Sequence, residues 1–143
     1  MNKRVTSFYV ETLILIVVFI AVILALTQVF GLAQKQSEEA RFLTSAVTLA
    51  QNAAEAFSAA DSAESLLSLL DEHGNAVIRD GTVTASYDAD MKPDPDGVLR
   101  VEIERTAGSP QTAEGTVRVV RRDTGEEIYS LGTAAYCPEE DGK

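Results

Sequence analysis

Five places in this 143-residue sequence carry side chains able to do chemistry. Glu11 stands at the edge of an unbroken apolar run, in SFYVETLILIVVFI. A carboxylate in hydrocarbon is expensive, so it either snorkels to the headgroups or meets a cation on a neighbouring chain. Asp88, Asp90, Asp94 and Asp96 crowd into DADMKPDPDG, and carboxylates on a flexible loop are the chemistry of calcium. After Gly97, however, no acidic residue follows until Glu102, so the EF-hand spacing fails and the segment reads as a solvated acidic turn without assigned ligands. His73, beside Asp71 and Glu72, has the types needed for acid–base or metal work, but it is the single histidine and reads as a helix-end residue. Cys137 is also single, which excludes an intramolecular disulfide and a cysteine-based metal site. An intermolecular disulfide or lipidation stays open, beside the plainer reading of a half-buried thiol in a final strand.

Asp123-Thr124-Gly125 repeats the triplet of aspartic proteases, where two such aspartates share a proton. It occurs once, between RVVRR and EEIYSL, where a hairpin needs Asp and Gly for a tight turn. The serines lack a histidine–acid arrangement, and no Gly-rich phosphate loop is present. The expectation is a protein that is not an enzyme, with no catalytic residue, no cofactor and no metal.

The elements that would position these residues fall into two unlike parts. Leu13–Leu26 has no polar side chain, and extended to Val10–Ala33 the stretch exceeds the roughly 20 residues that carry a helix across about 30 Å of hydrocarbon. Lys3 and Arg4 precede it, while Lys35 is followed by Glu38 and Glu39, so the N-terminus is expected on the cytoplasmic side and the remainder outside. Up to Ala33, Lys3, Arg4 and Glu11 give +1, so the rest of the chain carries −11 of the net −10. Such acidity, with no basic patch among aromatics, opposes nucleic-acid binding.

Between Gln34 and Phe57 there is no proline or glycine, and Phe42, Ala46, Leu49 or Ala50, Ala53 and Phe57 recur at spacings of three and four. Glu38, Glu39, Arg41, Thr44, Thr48, Gln51, Asn52 and Glu55 occupy the other side. The spacing predicts one amphipathic continuation of the membrane helix, about 70 Å from Thr12 to Phe57, with a short coiled-coil stalk as the alternative use of the stripe. A second short helix follows, started by Asp61 with Glu64, burying Leu66, Leu67, Leu69 and Leu70, and stopped by Gly74. Beyond Asn75 the period turns to two: Val83, Ala85 and Tyr87, then Leu99, Val101 and Ile103, then Val117 and Val119, then EEIYSL and TAAYC. An antiparallel meander of about four strands with one covered face is expected. The fold class is α+β, a long N-terminal helix packed on a small antiparallel β-sheet. Its parts are a basic leader at 1–6, a transmembrane helix at 7–33, an amphipathic and a short second helix at 34–74, and the sheet domain with an acidic tail at 75–143.

The start of the chain resembles that of type IV pilins and pseudopilins: a short basic leader, MNKR, then Thr6 and Ser7, an aromatic, two further residues, a glutamate and an unbroken Leu/Ile/Val helix. The resemblance implies cutting by a prepilin peptidase and a glutamate at the fifth mature position that helps subunits join a filament. Counting Ser7 as first makes Glu11 the fifth; cutting before Phe8 makes it the fourth. The family has glycine before the cut and phenylalanine after it, where this chain has Thr6 and Ser7, with Phe8 one residue later. The resemblance implies a structural subunit of a pilus, competence or type II secretion filament, with Glu11 neutralising an N-terminal amine within the apolar core. Its partners would be other pilin-like subunits, the prepilin peptidase, the inner-membrane assembly machinery and the lipid bilayer. Two alternatives stay open: a membrane-anchored binding or sensor module that never polymerises, and a secreted protein whose mature chain begins near Gln34.

Overall fold

A computed structural model describes residues 2–106, 108–109 and 111–137. The fold is α+β: α1 is Lys3–Ala59, α2 is Ala63–Leu70, and the strands are β1 Ala76–Arg79, β2 Thr82–Tyr87, β3 Leu99–Thr106, β4 Thr112–Arg121 and β5 Glu127–Tyr136. Two units divide the chain, Met1–Ala40 and Arg41–Lys143.

The first unit is helix alone. Each described residue from Asn2 to Ala40 is exposed, including the Leu, Ile, Val and Phe side chains of the apolar run. Length and composition suffice for this stretch to cross a membrane. Two hydroxyls within or beside it are satisfied by the helix itself, Thr12 Oγ1 donating to the Phe8 carbonyl and Thr27 Oγ1 to that of Ile23, each at 2.9 Å.

In the second unit the stripe expected from three-and-four spacing is buried. Ala46, Leu49, Ala50, Ala53 and Phe57 are covered, Phe42 is half-buried, and Ser45 is a polar addition to the face. They pack on a single sheet in the order β1-β2-β3-β4-β5, every pair antiparallel, so the chain is a plain meander. Period two is visible in the burial of Val83 and Ala85, of Leu99, Val101 and Ile103, and of Val117 and Val119, which form the core with the helix stripe. Two glycines permit close approaches, one between helix and sheet and one between the segment before β3 and the end of β2. A Cβ on Gly115 would lie 2.8 Å from the Phe57 ring, and one on Gly97 would lie 2.1 Å from the Tyr87 carbonyl oxygen.

Four expectations need correction. The N-cap of α2 is Ser62, whose hydroxyl accepts from the Ser65 amide, and not Asp61. Only Leu66 and Leu70 of its leucines are buried; Leu67 is half-buried and Leu69 exposed, because positions four apart share the face that meets the core. The helix stops at Leu70, before Gly74, which instead takes φ +74° in the turn into β1. The sheet has five strands: EEIYSL and TAAYC join into β5, and β1 lies in a segment that the period-two reading passed over. The signal for β1 was Asp80-Gly81, which adopts φ +50° and +80° as a two-residue hairpin between AVIR and TVTASY.

Candidate functional site

Thr6, Ser7, Phe8 and Glu11 all fall on the first turns of α1 and all are exposed. Ser7 and Glu11 are four residues apart, so the helix sets them one above the other on one face. Glu11 makes no hydrogen bond or ion pair among the described residues, in contrast to the hydroxyls of Thr12 and Thr27, so any partner for its carboxylate lies outside them. Phe8 stands edge-on to Tyr9, with ring centroids 6.3 Å apart.

The other chemistry-bearing residues are not brought together. Among the described residues no group of three or more His, Cys, Asp or Glu side chains is placed to hold a metal ion. His73 is exposed in the turn after α2, while Asp71 accepts from the Ala76 amide at 3.3 Å. The carboxylates of the Asp88–Asp96 loop hold that loop's own shape. Asp88 Oδ1 accepts the amides of Asp90 and Lys92 at 2.8 and 2.9 Å, and Asp94 Oδ1 accepts that of Asp96 at 2.9 Å. Asp90 is paired with Arg41. Asp123-Thr124-Gly125 is the β4–β5 turn: Asp123 Oδ1 accepts from the Thr124 amide, the Gly125 amide donates to the Arg121 carbonyl, and Gly125 has φ +69°. Cys137 is a half-buried thiol at the end of β5, 3.8 Å from Arg105 Nη2. The acidic residues Glu139, Glu140 and Asp141 lie outside the described residues.

Several positioning residues were invisible to periodicity. Asn75, buried between α2 and β1, accepts from the Glu72 amide through Oδ1 and donates through Nδ2 to the Ser86 carbonyl, each at 3.1 Å. Burial raises the Tyr87 hydroxyl above its usual value, the Glu72 charge raises it further, and a hydrogen bond with Asn75 opposes both. Arg105 lies over the Phe57 ring at 5.6 Å, and Arg121 over Phe42 at 4.5 Å, so guanidinium groups cap both aromatic ends of the buried stripe. An arginine facing a ring four or five elements earlier in the chain leaves no local sequence signal.

Comparison with known proteins gives no match: no family model, no curated protein and no solved structure. What the chain does therefore rests on its own residues.

Proposed function

We propose that this chain is a non-enzymatic, membrane-inserted, pilin-like subunit of a type IV pilus, competence or type II secretion filament. One observation carries the reading. A single helix, Lys3–Ala59, combines an apolar stretch with no covered side and a terminal stretch sealed onto a small antiparallel meander. An apolar surface of that length calls for lipid or other apolar helices around it. In a filament of parallel copies both needs are met in turn, first by the bilayer and then by neighbouring subunits.

In this reading Lys3 and Arg4 hold the N-terminus in the cytoplasm, and the sheet domain lies on the other side. The peptidase cuts before Ser7 or Phe8, and the Glu11 carboxylate pairs with the new N-terminal amine of an adjacent copy. Desolvated charges need such a partner. The partners are thus other pilin-like subunits, the prepilin peptidase and the inner-membrane assembly machinery. A second reading, a membrane-anchored module that never polymerises, is favoured by Thr6-Ser7 standing where a prepilin has Gly-Phe.

Mass spectrometry of the protein from its native membrane distinguishes the two. A mature start at Ser7 or Phe8 is the expected result, and an intact Met1 or Asn2 would sink the filament reading in favour of the permanent anchor. Glu11→Gln is expected to remain membrane-inserted and folded while losing incorporation into filaments.

A further inference from the structure

The arginines of the second unit divide by how they are engaged. Arg41 is paired with Asp90, Arg118 with Glu127 at 2.9 Å, and Arg105 and Arg121 lie over aromatic rings. The other three are engaged more loosely, two by ion pairs at 3.6 Å and one by none among the described residues. Arg100 is 3.6 Å from Glu102; Arg122 is 3.6 Å from an Asp96 whose side chain is 94% exposed; Arg79 has no ion pair among the described residues. All three line one open concavity of about 390 Å³, with the Thr84 and Ser86 hydroxyls and no carboxylate side chain in its lining.

The sheet creates this convergence. Arg79, Thr84, Ser86 and Arg100 alternate with the buried positions of β1, β2 and β3 and so share the face turned away from the core. Arg122 is fixed beside them by its amide, which donates to the Val98 carbonyl, and by Nη1, which donates to the Pro95 carbonyl at 2.9 Å. The Arg79 guanidinium, unpaired among the described residues, and those of Arg100 and Arg122, held only in 3.6 Å ion pairs, present planar donors suited to a further carboxylate. They do so on a chain that carries 22 acidic against 12 basic residues, so concentrated positive charge is the exception on its surface.

From this complementarity we infer that the concavity is a carboxylate-binding site and that its occupant is an acidic segment of a second copy of this chain. A surface with a net acidic excess repels its own copies, and one arginine-lined hollow supplies an attractive contact that also fixes their orientation. The inference goes beyond the filament reading and is independent of leader processing, since a chain with an intact Met1 would carry the same hollow.

The test is sedimentation of the full-length chain in detergent micelles at low and high ionic strength, with a glutamate oligomer as competitor. Wild type is expected to self-associate more strongly at low salt, and the oligomer to reverse this. Arg79→Ala with Arg100→Ala should weaken the association at least about tenfold, the loss expected for charge-assisted hydrogen bonds. Lys35→Ala with Lys92→Ala, which changes net charge equally outside the hollow, should not. Thermal unfolding of each variant shows that the sheet domain remains folded. Equal association of the arginine variant and wild type would overturn the proposal, as would equal weakening by the lysine variant. Arginine-dependent binding of the glutamate oligomer with unchanged self-association would overturn the second copy as occupant and give the hollow to an acidic ligand from outside.

Discussion

The two ends of α1 use the same residue classes to opposite purposes. Before Ala40 every described apolar side chain is exposed, whereas after it Ala46, Leu49, Ala50, Ala53 and Phe57 are sealed against strands. Composition separates them. The first stretch is apolar around its whole circumference and made of large Leu, Ile and Val, which suits an apolar solvent on all sides. The second is striped and its buried side is mostly alanine, which lets a helix lie close to a sheet. The larger Phe57 ring lies opposite Gly115, which has no side chain to meet it. A large apolar residue thus stabilises the fold only where the pattern gives it a protein neighbour.

The contrast makes its strongest prediction at the phenylalanines. Phe57→Ala should cost about 3–5 kcal/mol, the usual loss for a buried aromatic, whereas Phe30→Ala, at a side chain that is 71% exposed, should leave the thermal unfolding of the sheet domain unchanged in detergent. Equal shifts for the two would break the comparison. Next in size is Gly115→Ala. Its Cβ would meet the Phe57 ring at 2.8 Å, and overpacking of that kind costs about 1–3 kcal/mol. Combining it with Phe57→Leu should recover part of the loss, so a double-mutant cycle that gave simple additivity would separate the two residues.

A smaller effect is expected at the α2–β1 junction. Asn75→Ala removes two hydrogen bonds that join the Glu72 amide to the Ser86 carbonyl, each worth about 0.5–1.5 kcal/mol. Denaturant unfolding should show a lower midpoint with an unchanged slope. The smallest effect is pH-dependent. Burial, then the Glu72 charge, holds the Tyr87 hydroxyl above its ordinary value of 10.0, so the folded state favours the neutral phenol. That contribution is fully present below the unfolded value and is lost as pH rises through the folded one. Stability should therefore fall in the alkaline range beyond about pH 10, where an unperturbed tyrosine ionises, and Tyr87→Phe should flatten that decline. An unchanged slope in the variant would assign the decline to other groups.

Much of this fold was legible because the signals are local. The three-and-four stripe from Phe42 to Phe57 and the alternation in β2, β3 and β4 each repeat often enough to state their own period. β1 has only four residues, too few to show a period, and its Asp80-Gly81 turn was the better indicator. The shift of the α2 cap from Asp61 to Ser62 is a contest between neighbouring residues that both cap well, decided by which hydroxyl or carboxylate reaches the third amide onward. For the candidate site the division is sharper. Glu11 announces itself by standing against an apolar run, whereas Arg79, Arg100 and Arg122 look like scattered surface charges.

By itself, then, the sequence determined that a long apolar helix leads into an acidic α+β unit, and which side of each helix and strand is apolar. These follow from periodicity, which short-range geometry imposes on every turn and pleat. Tertiary structure alone decided that β1 and β3 flank β2, so that three arginines far apart in the chain line one hollow, and that Phe57 rests over Gly115 beneath Arg105. Cross-strand neighbours depend on register and turn geometry, and register is fixed only when the covered faces of all the strands close on one core.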